Sequence, residues 1–131
     1  MLDGFKMNKV SDERHLAYFD VFPLASGQIN ISKIYPRTIV AWHRHQEQID
    51  QWFVLNGMLK IGLKYPDKPA EFKLLGPGES ITIEFNVWHG YMALTETDLI
   101  YWCSSKYNPK KPDEEREMIG KFGEQWEGFF K

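Results

Sequence analysis

Of the four histidines in these 131 residues, two stand one residue apart, His43 and His45, inside the stretch AWHRHQEQIDQWFVLNG. A third, His89, follows in VWHGYMAL. A neutral imidazole can bind a divalent transition metal or move a proton near neutral pH. In a β-strand, residues i and i+2 project from one face, roughly 7 Å apart. A strand through residues 39–45 therefore puts His43 and His45 on one face with Ile39 and Ala41. Val40, Trp42 and Arg44 then face the other way. Ile39 and Ala41 read as interior residues, so the two imidazoles should continue an inner wall. Asp50 and Gly57 extend the order to H-x-H-x4-D-x6-G, and Gly78 with His89 adds G-x10-H. Three readings stand at this point: a metal site on His43, His45, Asp50 and His89, a base and its partner for proton transfer, or hydrogen-bonded side chains at a barrel mouth.

The elements that must position these residues are strands. Ile29 and Ile31 alternate with Gln28, Asn30 and Ser32. Leu59, Ile61 and Leu63 alternate with lysines, and Ile81, Ile83 and Phe85 alternate with Thr82 and Glu84. Period-two patterning of this kind indicates half-buried strands. Turn residues punctuate them at Ser26-Gly27, Asn56-Gly57, Pro66-Asp67, Gly76-Pro77-Gly78 and Asn108-Pro109. Asn56-Gly57 reads as a two-residue hairpin turn. Residues 112–131 form a tail in which Pro112 and the acidic residues after it suit a helix start, with Ile119, Phe122, Trp126 and Phe129 at helical spacing. Gly120, Gly123 and Gly128 weaken that helix. The expectation is a single all-β domain over 1–131, a sandwich or barrel carrying a short C-terminal helix or tail.

Composition narrows the functional classes. A net charge of −2 and no basic run longer than Lys110-Lys111 exclude a nucleic-acid footprint. One cysteine, Cys103, rules out an internal disulfide framework and a Cys-rich zinc site. No apolar run approaches a membrane span, and the first residues do not read as a signal peptide, so a cytoplasmic setting is expected. Five Trp, six Tyr and nine Phe suit a flat-walled pocket, a β core or a contact surface.

The motif order resembles the cupin superfamily of double-stranded β-helix (jelly-roll) barrels. Asp50 stands where that pattern usually has Glu, and Glu84 and Asn86 where it has Pro and Gly. From Tyr35 to Arg116, the stretches HRHQEQIDQWFVLNG, VWHGYMAL and YWCSSKYNPKKPDEER resemble the dTDP-4-dehydrorhamnose 3,5-epimerase family, especially its short divergent members. They are similar, less closely, to the cupin 3,4-ketoisomerases of the same dTDP-4-keto-6-deoxy sugars. The resemblance implies His43 as general base, Tyr101 as the acid on the opposite face of the sugar, and His45 and His89 as pocket residues, which could serve as donors toward the developing oxyanion. It also implies a homodimer and no required cofactor. Val40-Ala41 replaces the Arg-Gly that usually precedes the first histidine, which leaves Arg37 or Arg44 to meet a diphosphate. Trp52, Trp88 and Tyr91 are candidates to stack on the base or sugar.

Three functions follow as expectations. The first is an epimerase or ketoisomerase of a nucleotide-linked 4-keto-6-deoxy sugar. The second is a metallo-cupin holding Fe, Mn, Ni or Zn on His43, His45, Asp50 and His89, with oxygenase, lyase or isomerase chemistry. The third is a non-catalytic cupin that binds a small molecule.

Overall fold

A computed structural model describes residues 8–116 and 127–130. The strands are β1 (Asn8–Ser11), β2 (His15–Phe19), β3 (Gln28–Ile34), β4 (Ile39–Arg44), β5 (Asp50–Asn56), β6 (Leu59–Lys64), β7 (Glu71–Leu75), β8 (Ser80–Ile83), β9 (Trp88–Ala93), β10 (Thr97–Cys103) and β11 (Glu115–Arg116). They form two antiparallel sheets, ordered β1-β2-β3-β10-β5-β8 and β11-β4-β9-β6-β7. The sheets face each other as a jelly-roll barrel, and both contribute to one buried core that includes Ile34, Val54, Leu59, Ile61, Tyr91 and Leu99. Apolar residues every second position make this possible, because each strand turns one face inward.

Alternation identifies strands here without saying which face is buried. On β3 the inward set is Gln28, Asn30, Ser32 and Ile34, while Ile31 is exposed. The polar residues survive burial because they are hydrogen-bonded: Gln28 Nε2 donates to Asn30 Oδ1 at 2.8 Å, and the main-chain N–H of Tyr107 donates to Gln28 Oε1 at 2.9 Å.

The expected Asn56-Gly57 hairpin does not form. β5 and β6 lie in different sheets, so this dipeptide is a corner between them. Gly57 has φ +97°, and a Cβ there would stand 2.3 Å from the carbonyl oxygen of Glu96. The corner uses the same glycine freedom as a hairpin, for a different connection.

The face assignment along β4 also needs correction. Ile39 and Ala41 pack outside the barrel with Trp42, whereas Val40 packs against the inner core. Val40 pairs with Tyr91 and His43 with His89, so β4 carries one extra residue across from β9. This bulge resets the side-chain phase, turning Ala41 and Trp42 outward and His43 inward. Gly90 is what admits it: a Cβ at position 90 would lie 2.3 Å from Ala41 Cβ.

The tail departs from the helical expectation at its start. Pro112–Glu114 are not helical, and Glu115 and Arg116 pair with Arg44 and His43 as edge strand β11. Ile119, Phe122 and Trp126 lie outside the described residues. Phe129, in a short 3-10 turn over Gly128–Phe130, is buried on the outer face of the β4-β9-β6-β7 sheet. Its ring meets Trp42 and Phe72 at centroid distances of 5.4 and 4.9 Å.

Candidate active site

His43 is the next-to-last residue of β4, His89 is the second of β9, and the two are register partners. Side chains of directly opposed residues share a face, so both rings point into the same end of the barrel. Their centroids are 4.2 Å apart, and His45 closes the triangle at 5.6 Å from His43 and 5.4 Å from His89. One nitrogen from each ring lies within 4.8 Å of the other two. Asp50, the first residue of β5, reaches in from the other sheet. Its Oδ2 is 3.7 Å from His45 Nε2 and 4.0 Å from His89 Nε2.

Asp50 is almost fully buried, and its charge is compensated by donors. Gln48 Nε2 donates to Oδ1 at 2.7 Å and Trp52 Nε1 to Oδ2 at 3.4 Å. Donors of this kind replace the water that a carboxyl group loses on burial. The Trp52 indole stands edge-on to His89 and to Tyr91, at 5.6 and 5.5 Å. Tyr101 is the register partner of Trp52 on β10 and packs against the same core. The six-stranded sheet thus offers Asp50, Trp52 and Tyr101, and the facing sheet offers His43, His89 and Tyr91.

Electrostatics assign protonation states. His43 is held well below the ordinary imidazole value, first by burial and then by the neighbouring His89 and His45. Burial also lowers His89 to about 4, against the opposing pull of the Val87 carbonyl and Asp50. Both rings are neutral at pH 7. Burial raises Tyr101 far above the ordinary phenol value, with Tyr91, Cys103 and Asp50 adding to it, so it keeps its proton. Cys103 is likewise held as a thiol, mainly by burial.

Tautomers follow from the partners. His89 Nδ1 is 2.9 Å from the Val87 carbonyl and must donate to it, because a carbonyl only accepts. The neutral ring then presents a bare Nε2 to the cavity, so it acts there as an acceptor rather than the donor expected of a pocket histidine. His89 Nε2 and His43 Nδ1 are buried with no hydrogen-bond partner. Buried imidazole nitrogens without protein partners are costly and are open to bond a ligand or a water.

Two expected substrate contacts lie elsewhere. Arg37 is exposed before β4, at the opposite end of the barrel from His43, with its N–H bonded to the Ala93 carbonyl at 2.7 Å. Trp88 faces outward beneath Arg44, whose guanidinium carbon sits 4.6 Å from the ring centre. A surface groove runs between Arg44, Lys64, Tyr65, Pro66 and Trp88, outside the barrel. The alternation of β9 puts Trp88 on the face opposite His89, which is why it cannot join the imidazoles.

Sequence reasoning missed Gln48, Ser32 and Asp113. Ser32 lies on β3 close enough to the Tyr101 hydroxyl to oppose the rise in its pKa. Asp113 hydrogen-bonds the turn after β4 through both carboxylate oxygens. Only Asp113 had a signal, its place in the YNPKKPDEER stretch that carries the family resemblance.

With this geometry in place, comparison with known proteins is informative. The chain is 34% identical over 143 residues to the spore coat polysaccharide biosynthesis protein SpsL of Bacillus subtilis, covering 88% of this chain and 89% of that protein. It is 33% identical over 96 residues to the probable low-salt glycan biosynthesis epimerase Agl13 of Haloferax volcanii, covering 65% and 62%. Among solved structures, the capsular polysaccharide assembling protein CapF of Staphylococcus aureus superposes with a TM-score of 0.77 at 16% identity, over 88% of this chain and 33% of CapF. Oxalate decarboxylase of Bacillus subtilis superposes at 0.70 with 11% identity, over 84% and 30%. These two share the fold, and the chain spans about a third of either. No protein-family model matches the chain.

Proposed function

The chain belongs to the cupin sugar-biosynthesis epimerases that resemble dTDP-4-dehydrorhamnose 3,5-epimerase, and on that premise we propose its substrate and its proton-transfer residues. The substrate is a nucleotide-linked 4-keto-6-deoxy sugar, dTDP-linked in the first instance. His43, neutral and aimed inward, removes the proton from the carbon beside the ketone. Tyr101, protonated and on the facing sheet, returns one to the opposite face of the ring. A base must be unprotonated and an acid protonated before turnover, and burial puts both groups in those states. Proton uptake by His43 creates a cation in a buried cluster, and the Asp50 carboxylate beside His45 and His89 offsets it. Trp52 and Tyr91 supply flat walls for the sugar. The observation that carries this reading is the meeting of His43 and His89 from one sheet, and His45 just after β4, with the Asp50 carboxylate from the other sheet, on which Tyr101 is two strand positions away across from Trp52. The reaction needs no cofactor and is expected in the cytoplasm.

The test is turnover of dTDP-4-keto-6-deoxyglucose followed by proton NMR. Inversion at carbon 3 or 5, or migration of the keto group, supports the reading. Tyr101→Phe should lower kcat by about 10²-fold or more while the folded fraction is unchanged. Full activity in that variant removes Tyr101 from the acid role.

A second reading has its own observation, the bare Nε2 of His89 among nitrogens that lie within 4.8 Å of one another. The donor set fits a divalent transition metal, Fe, Mn, Ni or Zn, with His43, His45 and His89 holding it and Asp50 beside them. Such an ion would supply Lewis acidity at the ketone. Elemental analysis of protein purified without chelator decides this: a stoichiometric transition metal favours the second reading, and none favours the first.

The homodimer is proposed through the outer face of the six-stranded sheet. Ile31, Ile100 and Phe53 are register neighbours on β3, β10 and β5 and form an apolar row there, with Ile31 and Phe53 exposed. Sedimentation should give a dimer that Phe53→Lys dissociates. A monomeric wild type would refute it.

A further inference from the structure

Residues 113–116 cross the mouth of the barrel beside the histidines. Asp113 Oδ1 accepts the main-chain N–H of Gln46 at 2.8 Å, and Oδ2 accepts those of Glu47 and Gln48 at 2.9 Å each. Three consecutive main-chain donors converging on one carboxylate form an anion cradle. It fastens the β4–β5 turn, which lies between His45 and Asp50. The carbonyl of the same Asp113 lies 2.6 Å from His45 Nδ1. A carbonyl can only accept, so His45 donates from Nδ1, and its Nε2 is left facing Asp50 Oδ2 at 3.7 Å.

We propose that Asp113 is a positioning residue: its carboxylate clamps the turn at Gln46–Gln48, and its own carbonyl thereby holds His45 with a proton on Nδ1 and Nε2 aimed at Asp50 and the other two rings. The carbonyl exists whatever residue stands at 113. The carboxylate is what brings it to His45. Burial works against the charge of Asp113, but the three N–H bonds outweigh it and keep the carboxylate below its ordinary value. Asparagine cannot replace it. With its oxygen turned to the Glu47 and Gln48 donors, its NH2 would face the N–H of Gln46, donor against donor. The strand that follows is also held by Glu115, whose Oε2 meets Arg44 Nη2 at 3.0 Å and whose Oε1 accepts from the Gln46 side-chain amide. Loss of the clamp therefore releases His45 without detaching the segment.

The kinetic half of the test rests on the sugar-epimerase reading, and the tautomer half does not. In the full chain with 15N-labelled histidine, NMR should show His45 of the wild type protonated at Nδ1. A bare Nδ1 there overturns the proposal with no variant needed. In Asp113→Asn the Nδ1 proton should give way to a mixture of tautomers. With dTDP-4-keto-6-deoxyglucose, kcat should fall by about tenfold or more, because a displaced catalytic side chain loses its alignment, while KM stays within about twofold. Glu114→Gln, which breaks the pair with Arg116 on the same segment and meets neither the turn nor His45, should keep both tautomer and rate. Asp113→Asn with an unchanged tautomer and rate refutes the proposal. If Asp113→Asn does not fold, the wild-type spectrum decides alone. A wild type that turns over no sugar nucleotide defeats the functional reading and leaves the tautomer result to judge Asp113.

Discussion

At the end of the barrel where β4 begins, Leu59 and Ala93 are fully buried register partners, and the Thr97 hydroxyl lies 2.9 Å from the Thr95 carbonyl. At the end where β4 finishes, His43 Nδ1 and His89 Nε2 are buried without partners and Asp50 is buried beside them. The same strands build both ends. The first end is closed by apolar packing, which serves stability, although His15 Nδ1 is also buried there without a hydrogen-bond partner. The other leaves two imidazole nitrogens open, at a cost of about 1–3 kcal/mol for each unmet group, which a bound substrate, ligand or water recovers. The contrast teaches that activity and stability are separable along the barrel axis, and substitutions at the two ends should show it.

The largest effect belongs to the imidazole end. His43→Gln should lower kcat by about 10²- to 10⁴-fold, with a melting temperature equal to or above that of the wild type. At the far end Leu59→Ala should destabilise the fold by about 2–5 kcal/mol in denaturant titration, with kcat per folded molecule retained. If the two variants change the same property, the ends are not separable.

Gly90→Ala sharpens the comparison from between the ends. Its Cβ would press on Ala41 at the bulge, so we expect a loss of about 1–3 kcal/mol in stability together with a lower kcat, because the bulge is what turns His43 inward. Stability lost with full kcat would mean that the phase of β4 does not depend on Gly90.

The smallest effect is a pH slope. The unfolded chain protonates His89 near 6.5, whereas the folded chain keeps it neutral down to about 4. Between those values the unfolded state binds more protons, so stability falls as pH is lowered and levels off below about 4. The slope from this one group is at most about 1.4 kcal/mol per pH unit. His89→Leu should flatten it and raise stability at pH 5. An unchanged slope would show that His89 is not buried neutral.

Much of the site was legible because its order along the chain is distinctive. His43, His45, Asp50 and His89 could be grouped from spacing and family resemblance, and the structure brings them together. What was hidden depended on partners across the sheets. The bulge at Ala41-Trp42 exists because Gly90 is opposite, which no local pattern on β4 reveals. Ile29 and Ile31 mark a strand by their alternation but not its buried face, and the barrel there turns Gln28, Asn30 and Ser32 inward. Asn56-Gly57 has hairpin chemistry, but its flanking strands find partners in separate sheets. Arg37 was proposed by residue type alone, and strand direction carries it to the wrong end. Trp88 was adjacent to a site residue in sequence, which in a strand means the opposite face. Asp113 acts through a turn some 65 residues earlier, a distance over which spacing carries no signal.

The most direct test of proton transfer at the imidazole end is solvent isotope incorporation. Wild-type protein and His43→Gln are incubated in D2O with dTDP-4-keto-6-deoxyglucose, and the sugar is read by proton NMR. Loss of the proton signal at a carbon beside the ketone with the wild type, and its persistence with His43→Gln, is the expected result. Equal exchange by both proteins, or none by a folded wild type, would contradict it.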